Sequence, residues 1–194
     1  MKSYLLLIHF KLHSSFSRWK YFIYPNLFSR AKYSCATNPI YQQKTEITGV
    51  GRITIGKNCG FGYRIGGFWR NGSIEFQARY KDAEIIIGDN VFTNNNIFIC
   101  AANKISIGSH TRIGQGIMIT DFEAHGTDPK NRNKVGEIGT VDIGENVWIG
   151  NNVTILKNSK VGKNTIIGTG AIVNGVFPEN VLIGGVPAKI LKSL

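Results

Sequence analysis

The chain has 194 residues, of which 42% are hydrophobic, with 23 Gly, 5 Pro and a formal net charge of +11. This is enough for one well-filled domain and an appendage, and it excludes a disordered or low-complexity chain. No uncharged apolar run approaches the ~20 residues of a membrane span, and the three Cys lack the number and spacing of a disulfide framework or a metal centre.

Residues 1–46 are predicted to be a basic amphipathic arm. Residues 1–45 carry seven Lys or Arg and no acid, so most of the net charge lies there. Apolar side chains recur on one helical face, at Leu5, Ile8, Leu12 and Phe16, and continue at Trp19, Phe22 and Ile23. Pro25 should end or kink this helix. The arm either packs on the main domain or a neighbouring subunit, or lies on an anionic membrane surface.

The first residues, MKSYLLLIHFK, have an apolar core that is too short for a signal peptide and is interrupted by His9 and Lys11. We therefore expect no export. The prediction is a cytoplasmic protein, with peripheral contact to the inner membrane through the arm as an option.

From about Ile47 to Val173 the chain follows a six-residue repeat, with interruptions. Between 143 and 172 an aliphatic residue recurs every six positions, Gly follows it, and Asn stands three places after it. A period of six is typical of a solenoid in which three units of strand and corner close one triangular turn. The predicted stacking pairs are Ile143 with Val161, Ile149 with Ile167, and Ile155 with Val173. At the corners we expect positive φ for both the Gly and the Asn residues.

Residues 121–140 interrupt the repeat completely and are predicted to protrude as a loop. Such an insertion in a regular solenoid is typical of functional segments. The loop contains His125, a residue type suited to general base catalysis near neutral pH. His110 stands where Asn occurs at other corners, which indicates a structural role. A second irregular stretch, 66–84, is rich in aromatic residues.

The repeat, together with VDIGENVWIGNNVTI and the terminal IGGVPAKILK, resembles the hexapeptide-repeat acyltransferases. The similarity is greatest to maltose, galactoside and serine O-acetyltransferases and to O-acetyltransferases of surface polysaccharides. It implies an all-β fold, a left-handed parallel β-helix over residues 47–194 with a short C-terminal tail. It also implies acetyl-CoA as co-substrate, no metal, and a homotrimer with active sites between subunits.

The resemblance also implies roles for individual residues. The segment ITDFEAHG resembles the loop that carries the family's catalytic His, so His125 is the expected base, with Asp121 favoured over Glu123 to orient the imidazole. Asn94 matches a substrate-binding Asn, although a corner role is equally open. The expected CoA-binding residues are Trp148, Gly150, Asn151, Gly168, Thr169, Lys189 and Lys192.

The predicted function is transfer of acetyl from acetyl-CoA to a sugar hydroxyl in lipopolysaccharide or capsule synthesis. The alternatives are an N-acetyltransferase of an amino sugar or nucleotide-sugar, and a non-catalytic scaffold. A zinc carbonic anhydrase on this fold needs three His, and the repeat has two. No nucleic-acid module is present, so we expect no nucleic-acid partner. Arg64, Arg70 and Arg79 either line an acidic-sugar site or belong to an irregular first coil.

Overall fold

The computed structural model describes residues 15–194, which form a parallel β-helix preceded by one short helix. The first sheet contains β1 (Lys32–Cys35), β4 (Arg52–Ile55), β7 (Glu84–Ile87), β10 (Lys104–Ile107), β13 (Thr140–Ile143), β16 (Ser159–Val161) and β19 (Val176–Phe177). The second contains β2 (Ile40–Tyr41), β5 (Gly60–Phe61), β8 (Phe92–Thr93), β11 (Arg112–Ile113), β14 (Trp148–Ile149), β17 (Ile166–Ile167), β20 (Val181–Gly184) and β21 (Lys189–Ser193). The third contains β3 (Thr45–Gly49), β6 (Ile74–Ala78), β9 (Ile97–Ala101), β12 (Ile117–Thr120), β15 (Thr154–Ile155) and β18 (Ile172–Val173).

The predicted stacking of the coils is confirmed. Ile143 pairs with Val161, Ile149 with Ile167, and Ile155 with Val173, each in a parallel ladder. These aliphatic residues are buried and form one continuous core along the axis of the solenoid. The handedness of the coil, expected to be left-handed from the resemblance, stays a prediction.

The Asn residues at the corners have the expected left-handed backbone. Their φ values lie between 54° and 61°, at Asn58, Asn90, Asn96, Asn146, Asn152, Asn158, Asn164 and Asn180. His110 has a φ of 64° and occupies the same kind of corner, which supports its structural interpretation.

The explanation expected for the repeated Gly was wrong. The Gly residues that follow the inward aliphatic residues do not have positive φ. Most of them are instead positions where the next coil passes too closely for a side chain, with Gly168 as an exception. A Cβ on Gly144, for example, would lie 2.7 Å from the backbone nitrogen of Lys163 in the next coil.

The parallel ladder begins at Lys32, before the start that the repeat placed at Ile47. β1 to β3 complete a first coil, and β1 pairs with β4 over four residues. This coil lacks the Gly and Asn corner signature, and aromatic side chains pack in it and in the coil above. Phe22 stacks on Tyr41 at 4.3 Å, and Phe61 meets Phe76 at 5.1 Å.

The helix of the arm caps the N-terminal end of the solenoid. It comprises residues 15–18, a π-helical turn Trp19–Ile23, and a 3₁₀ turn Tyr24–Asn26 that contains Pro25. Among the described residues of the expected apolar face, Phe22 is buried, whereas Phe16, Trp19 and Ile23 are exposed. Leu5, Ile8 and Leu12 lie outside the described residues. Within residues 15–194, no helix is long and apolar enough to cross a membrane.

Candidate active site

The second sheet carries an outward column of side chains along its whole length. Each of its two-residue strands turns its first side chain outward and its second into the core, as strand alternation requires. In register, the outward column is Ile40, Gly60, Phe92, Arg112, Trp148, Ile166, Leu182 and Lys192. We call this set the second-sheet column.

Trp148 stands in this column between Arg112 and Ile166. Its side chain is 58% exposed, a large apolar area left open to solvent. Gly150 follows in the same coil, and Gly168 occupies the equivalent place one coil later, where its N–H donates to the Ile183 carbonyl at 2.8 Å. A flat ligand could therefore lie against the backbone beside the indole ring.

Asn151 and Thr169 form a ladder at the corner that follows. The side-chain oxygen of Asn151 accepts from the Gln115 N–H at 3.0 Å, and the Thr169 hydroxyl accepts from the Asn151 N–H at 3.3 Å. Both residues are exposed, so a ligand can reach them. The structure gives them a role in joining coils, and their cofactor role stays a prediction.

The predicted phosphate-binding lysines lie at the C-terminal end of the second sheet. β21 folds back antiparallel on β20, which pairs Lys192 with Leu182 and Lys189 with Gly184. Both lysines are exposed. The strand therefore adds two cations to the end of the sheet that carries Trp148.

A groove of about 490 Å³ runs from Trp148 towards the N-terminal coils. Asn94 lines it together with Tyr63, Phe92 and Arg112. The Asn94 side-chain oxygen accepts from the Asn95 N–H at 2.9 Å. The fold thus brings the predicted substrate residue Asn94 and the predicted cofactor residue Trp148 to one surface, although they are far apart in sequence.

His125 is on a different part of the molecule. Its loop leaves the third sheet after β12 and returns to the first sheet at β13, so it emerges from the corner between those sheets. The His125 Nδ1 lies 2.9 Å from the Arg132 carbonyl oxygen. Because a carbonyl only accepts, Nδ1 carries the hydrogen, which leaves Nε2 with a free lone pair for proton abstraction. The sequence could not predict the contact with Arg132, because the backbone carbonyl of that residue makes it and not the side chain.

Asp121 has partners other than His125. It is buried, and its carboxylate oxygens accept from the Ala102 N–H at 2.7 Å and the Asn103 N–H at 2.9 Å. These contacts hold the base of the loop to the preceding coil. The expected hydrogen bond from the imidazole to the Asp121 carboxylate is not among the contacts of Asp121 within residues 15–194; the Arg132 carbonyl accepts from His125 instead.

The loop is also tied to the next coil by an ion-pair cluster. Lys157 Nζ lies 2.6 Å from a Glu137 oxygen and 3.4 Å from a Glu123 oxygen. Asn158 donates to the other Glu137 oxygen at 2.9 Å. The hydrogen bonds from Lys157 and Asn158 lower the pKa of Glu137, and the bond to Glu137 raises the pKa of Lys157. We call Glu123, Glu137, Lys157 and Asn158 the loop clasp.

The arginines of the aromatic stretch do not converge on one site. The Arg64 guanidinium lies 5.7 Å from the Trp69 ring centre, in the connection between β5 and β6. The Arg79 guanidinium lies 4.8 Å from the Phe122 ring, at the base of the His125 loop. Among residues 15–194 no group of three or more His, Cys, Asp or Glu side chains could hold a metal ion.

Comparisons with known proteins agree with this architecture. Residues 140–175 match the family model of the bacterial transferase hexapeptide (six repeats). WbbJ of Escherichia coli (strain K12), named as a lipopolysaccharide biosynthesis O-acetyl transferase, is 34% identical over 154 residues, which cover 73% of this chain and 72% of WbbJ. The galactoside O-acetyltransferase of the same strain is 33% identical over 116 residues, 58% of this chain and 55% of that enzyme.

Solved structures give a similar picture. The hexapeptide-repeat acetyltransferase VCA0836 from Vibrio cholerae superposes with a TM-score of 0.50 and 31% identity, over 57% of this chain and 62% of that one. The maltose O-acetyltransferase from Clostridium difficile 630 superposes with a TM-score of 0.55 and 24% identity, over 85% of this chain and 71% of that one, and shows the shared fold. The matches thus span less than two thirds of the galactoside enzyme and of VCA0836.

Proposed function

Because the chain belongs to the hexapeptide-repeat acyltransferases, we propose that it transfers acetyl from acetyl-CoA to a sugar hydroxyl of a surface polysaccharide. The name of WbbJ supports the polysaccharide, and the names of the other relatives support the acetyl group. The observation that carries the proposal is the exposed Trp148 in the outward column of a sheet that ends in a cationic strand.

The donor is proposed to lie along the C-terminal half of the second sheet. Trp148 packs against the pantetheine arm, and the backbone at Gly150 and Gly168 permits the close approach that this arm needs. Asn151 and Thr169 border the same path. Lys189 and Lys192 neutralise the phosphates of CoA at its far end.

The proposed chemistry is direct transfer with His125 as the base. Its Nε2 takes the proton of the acceptor hydroxyl while that oxygen attacks the thioester carbonyl. A backbone N–H stabilises the tetrahedral oxyanion. The intermediate collapses to the acetyl ester, and the CoA thiolate leaves and takes up the proton from the imidazolium. The hydrogen bond from Nδ1 to the Arg132 carbonyl holds the ring in the tautomer that this step requires.

In a homotrimer, His125 of one subunit can lie close to Trp148 of a neighbouring subunit. In a three-sided prism the corner between the third and first sheets lies opposite the second sheet. A loop that protrudes from this corner reaches the second sheet of a neighbour more readily than its own. We therefore propose that each site combines His125 of one subunit with Asn94 and Trp148 of the next.

The test is acceptor-dependent thiol release from acetyl-CoA, measured with a panel of sugars, nucleotide-sugars and glycan fragments. We expect His125→Ala to lose about 10²-fold or more in kcat/KM. The matched control is His110→Asn, because Asn is the residue that other corners use at the same φ. Burial raises the pKa of the Cys100 thiol to about 11, which lowers the fraction of thiolate that could react with the thiol reagent.

Each result of this assay separates the candidate functions. Mass spectrometry of the product distinguishes an ester from an amide, and an amide would establish the N-acetyltransferase alternative. Release that survives in His125→Ala would contradict the assignment of the base. A protein that binds no CoA would instead be a non-catalytic scaffold.

The arm is proposed to contact the anionic surface of the inner membrane from the cytoplasmic side. Trp19, Tyr24 and Phe28 are exposed on it, with Lys20 and Arg30 close in sequence. Aromatic and basic side chains together suit the membrane interface. Co-sedimentation of the full chain with anionic vesicles, compared with neutral ones, tests this. Equal recovery with both would contradict it.

A further inference from the structure

The N-terminal half of the groove has a chemistry of its own. From Trp148 towards the N-terminus, the second-sheet column continues through Arg112 and Phe92 to Gly60. Acetyl-CoA, the donor, is proposed to lie along the column from Trp148 towards the C-terminus. The stretch over Arg112 and Phe92 is therefore the part that adjoins the acetyl group and stays free for an acceptor.

Arg112 and Phe92 form one unit. The Arg112 guanidinium lies 4.7 Å from the centre of the Phe92 ring. A Cβ on Gly60 would lie 2.8 Å from Phe92 Cδ1, so this ring lies over a position that only Gly leaves open. Tyr63 and Trp148 border the groove on either side of the pair and are 49% and 58% exposed. Exposed aromatic rings of this kind are suited to packing against the faces of sugar rings.

The described residues that line the groove give it a positive charge, with no acidic side chain to neutralise it. Among the described residues that line it, Arg112 is the charged one and no carboxylate is present. Arg112 also borders a neighbouring cavity, but the acid there, Glu145, faces His110 at 3.9 Å. Within residues 15–194 the Arg112 side-chain hydrogen bonds all start from Nη1, the shortest to the Asn90 carbonyl at 2.6 Å. These bonds orient the guanidinium and leave its other donors for an anion.

We propose that this groove binds the acceptor through an anionic sugar unit, whose carboxylate or phosphate pairs with Arg112 while its ring packs on the aromatic side chains. The inference rests on the proposed function and adds the class of acceptor to it. It places the anion-binding residue at Arg112, which the sequence analysis did not consider, whereas an acidic-sugar site at Arg64, Arg70 and Arg79 was one of two interpretations of those residues. Arg is the residue type that pairs with carboxylate and phosphate in a bidentate manner.

The test measures binding, so that it does not depend on catalysis. The probes are trisaccharides that carry one hexuronic acid or one phosphate monoester, each with its carboxyl-reduced or dephosphorylated counterpart. Their Kd values for the full-length, CoA-loaded protein are compared by ligand-observed NMR. We expect at least one anionic probe to bind about tenfold more tightly than its neutral counterpart, and the probe that does so identifies the anion.

Variants assign this preference to its residues. Arg112→Gln should remove the preference and leave the Kd of the neutral probes within about twofold. Phe92→Ala should weaken anionic and neutral probes alike, by about five- to tenfold. The matched control is Arg52→Gln, an exposed arginine on the first sheet in register with Glu84. It should retain the preference.

Three results would overturn the proposal: equal binding of charged and neutral probes, a preference that survives in Arg112→Gln, or no binding of any anionic probe at about 10 mM. A protein that binds CoA and transfers acetyl but has no anion preference keeps the proposed function and loses this inference. Loss of CoA binding, measured separately, would remove the proposed function itself.

Discussion

Gly108 follows the inward-facing Ile107 and lies directly against the next coil. A Cβ at this position would lie 2.4 Å from the Gly144 carbonyl carbon and 2.5 Å from the Glu145 nitrogen, both of them backbone atoms and not the ends of flexible side chains. Gly168 has the same place in its repeat, but there the nearest atom is the Ile183 carbonyl oxygen at 3.4 Å. Close contact with the next coil therefore requires Gly at 108 but does not require it at 168.

We therefore predict that Gly108→Ala destabilises the protein by about 1–3 kcal/mol, because the coils must separate to admit the methyl group. Gly168→Ala should change the free energy of unfolding by no more than about 0.5 kcal/mol. Chemical denaturation of both variants measures the difference. Equal stability of the two would show that close coil contact is not what selects Gly at 108.

Asp121 offers a second prediction for a single residue. Asp121→Ala removes the acceptor of the buried Ala102 N–H and of the part-buried Asn103 N–H, and we expect a loss of about 2–4 kcal/mol. The exposed Asp142, which accepts from the Ser106 hydroxyl, provides the control variant Asp142→Ala, with an expected change below about 0.5 kcal/mol.

The pH dependence of catalysis separates this structural role from an orienting one. Since the imidazole is held by the Arg132 carbonyl, Asp121→Asn should leave the pH profile of kcat/KM in place even where it lowers stability. A shifted apparent pKa in that profile would mean that the carboxylate acts on His125 after all.

The loop at 121–139 is an element without regular structure of its own apart from a 3₁₀ turn, Pro129–Asn131, and an antiparallel bridge between Phe122 and Ile138. Its position depends on the contacts of Asp121 and on the loop clasp. We predict that Lys157→Met speeds proteolytic cleavage in the loop and lowers kcat, because the two glutamates lose their cation. Lys160→Met, a change of an exposed lysine on the adjacent strand β16, should do neither.

The loop clasp should also respond to pH with a definite sign. The pKa of Glu137 is lowered when the clasp is closed, so its contribution is present above the ordinary Glu pKa and is lost as pH falls through the lowered value. The pKa of Lys157 is raised, so its contribution is present below the ordinary Lys pKa and is lost as pH rises through the raised value. Hydrogen exchange of the loop should be slowest between these limits, and a rate that does not depend on pH after correction for intrinsic exchange would contradict the clasp.

At the scale of the whole molecule, the separation of His125 from Trp148 predicts complementation between subunits. His125→Ala and Trp148→Ala should each be impaired alone. When the two are co-expressed at equal levels, random trimers should contain about one intact site in four, if each site draws these residues from different subunits. Activity near a quarter of the wild type would support the shared site. No recovery, despite mixed trimers detected by mass spectrometry, would show that both residues act within one chain.

The sequence by itself determined the solenoid, the register of its coils and the Asn residues that have positive φ at its corners. The six-residue repeat indicated which aliphatic residues stack, as in the pair Ile143 and Val161, because strand pairing one coil apart leaves a period in the chain. It also indicated the corner Asn residues, because few other residue types tolerate positive φ. The interruption at 121–140 was visible as a departure from this strict pattern, whereas the candidate site residues were indicated by the resemblance to the family.

Only the tertiary structure decided which of these residues meet. The start of the first coil at Lys32, the contact of Phe22 with Tyr41 and the Arg132 carbonyl at His125 leave no periodic signal, since they depend on aromatic packing or on the backbone. The buried partners of Asp121 and the place of Arg112 beside Phe92 follow from the stacking of coils that are far apart in sequence. A repeat specifies how each coil lies on the next, but the contacts between unlike side chains depend on the particular residues that this stacking brings together.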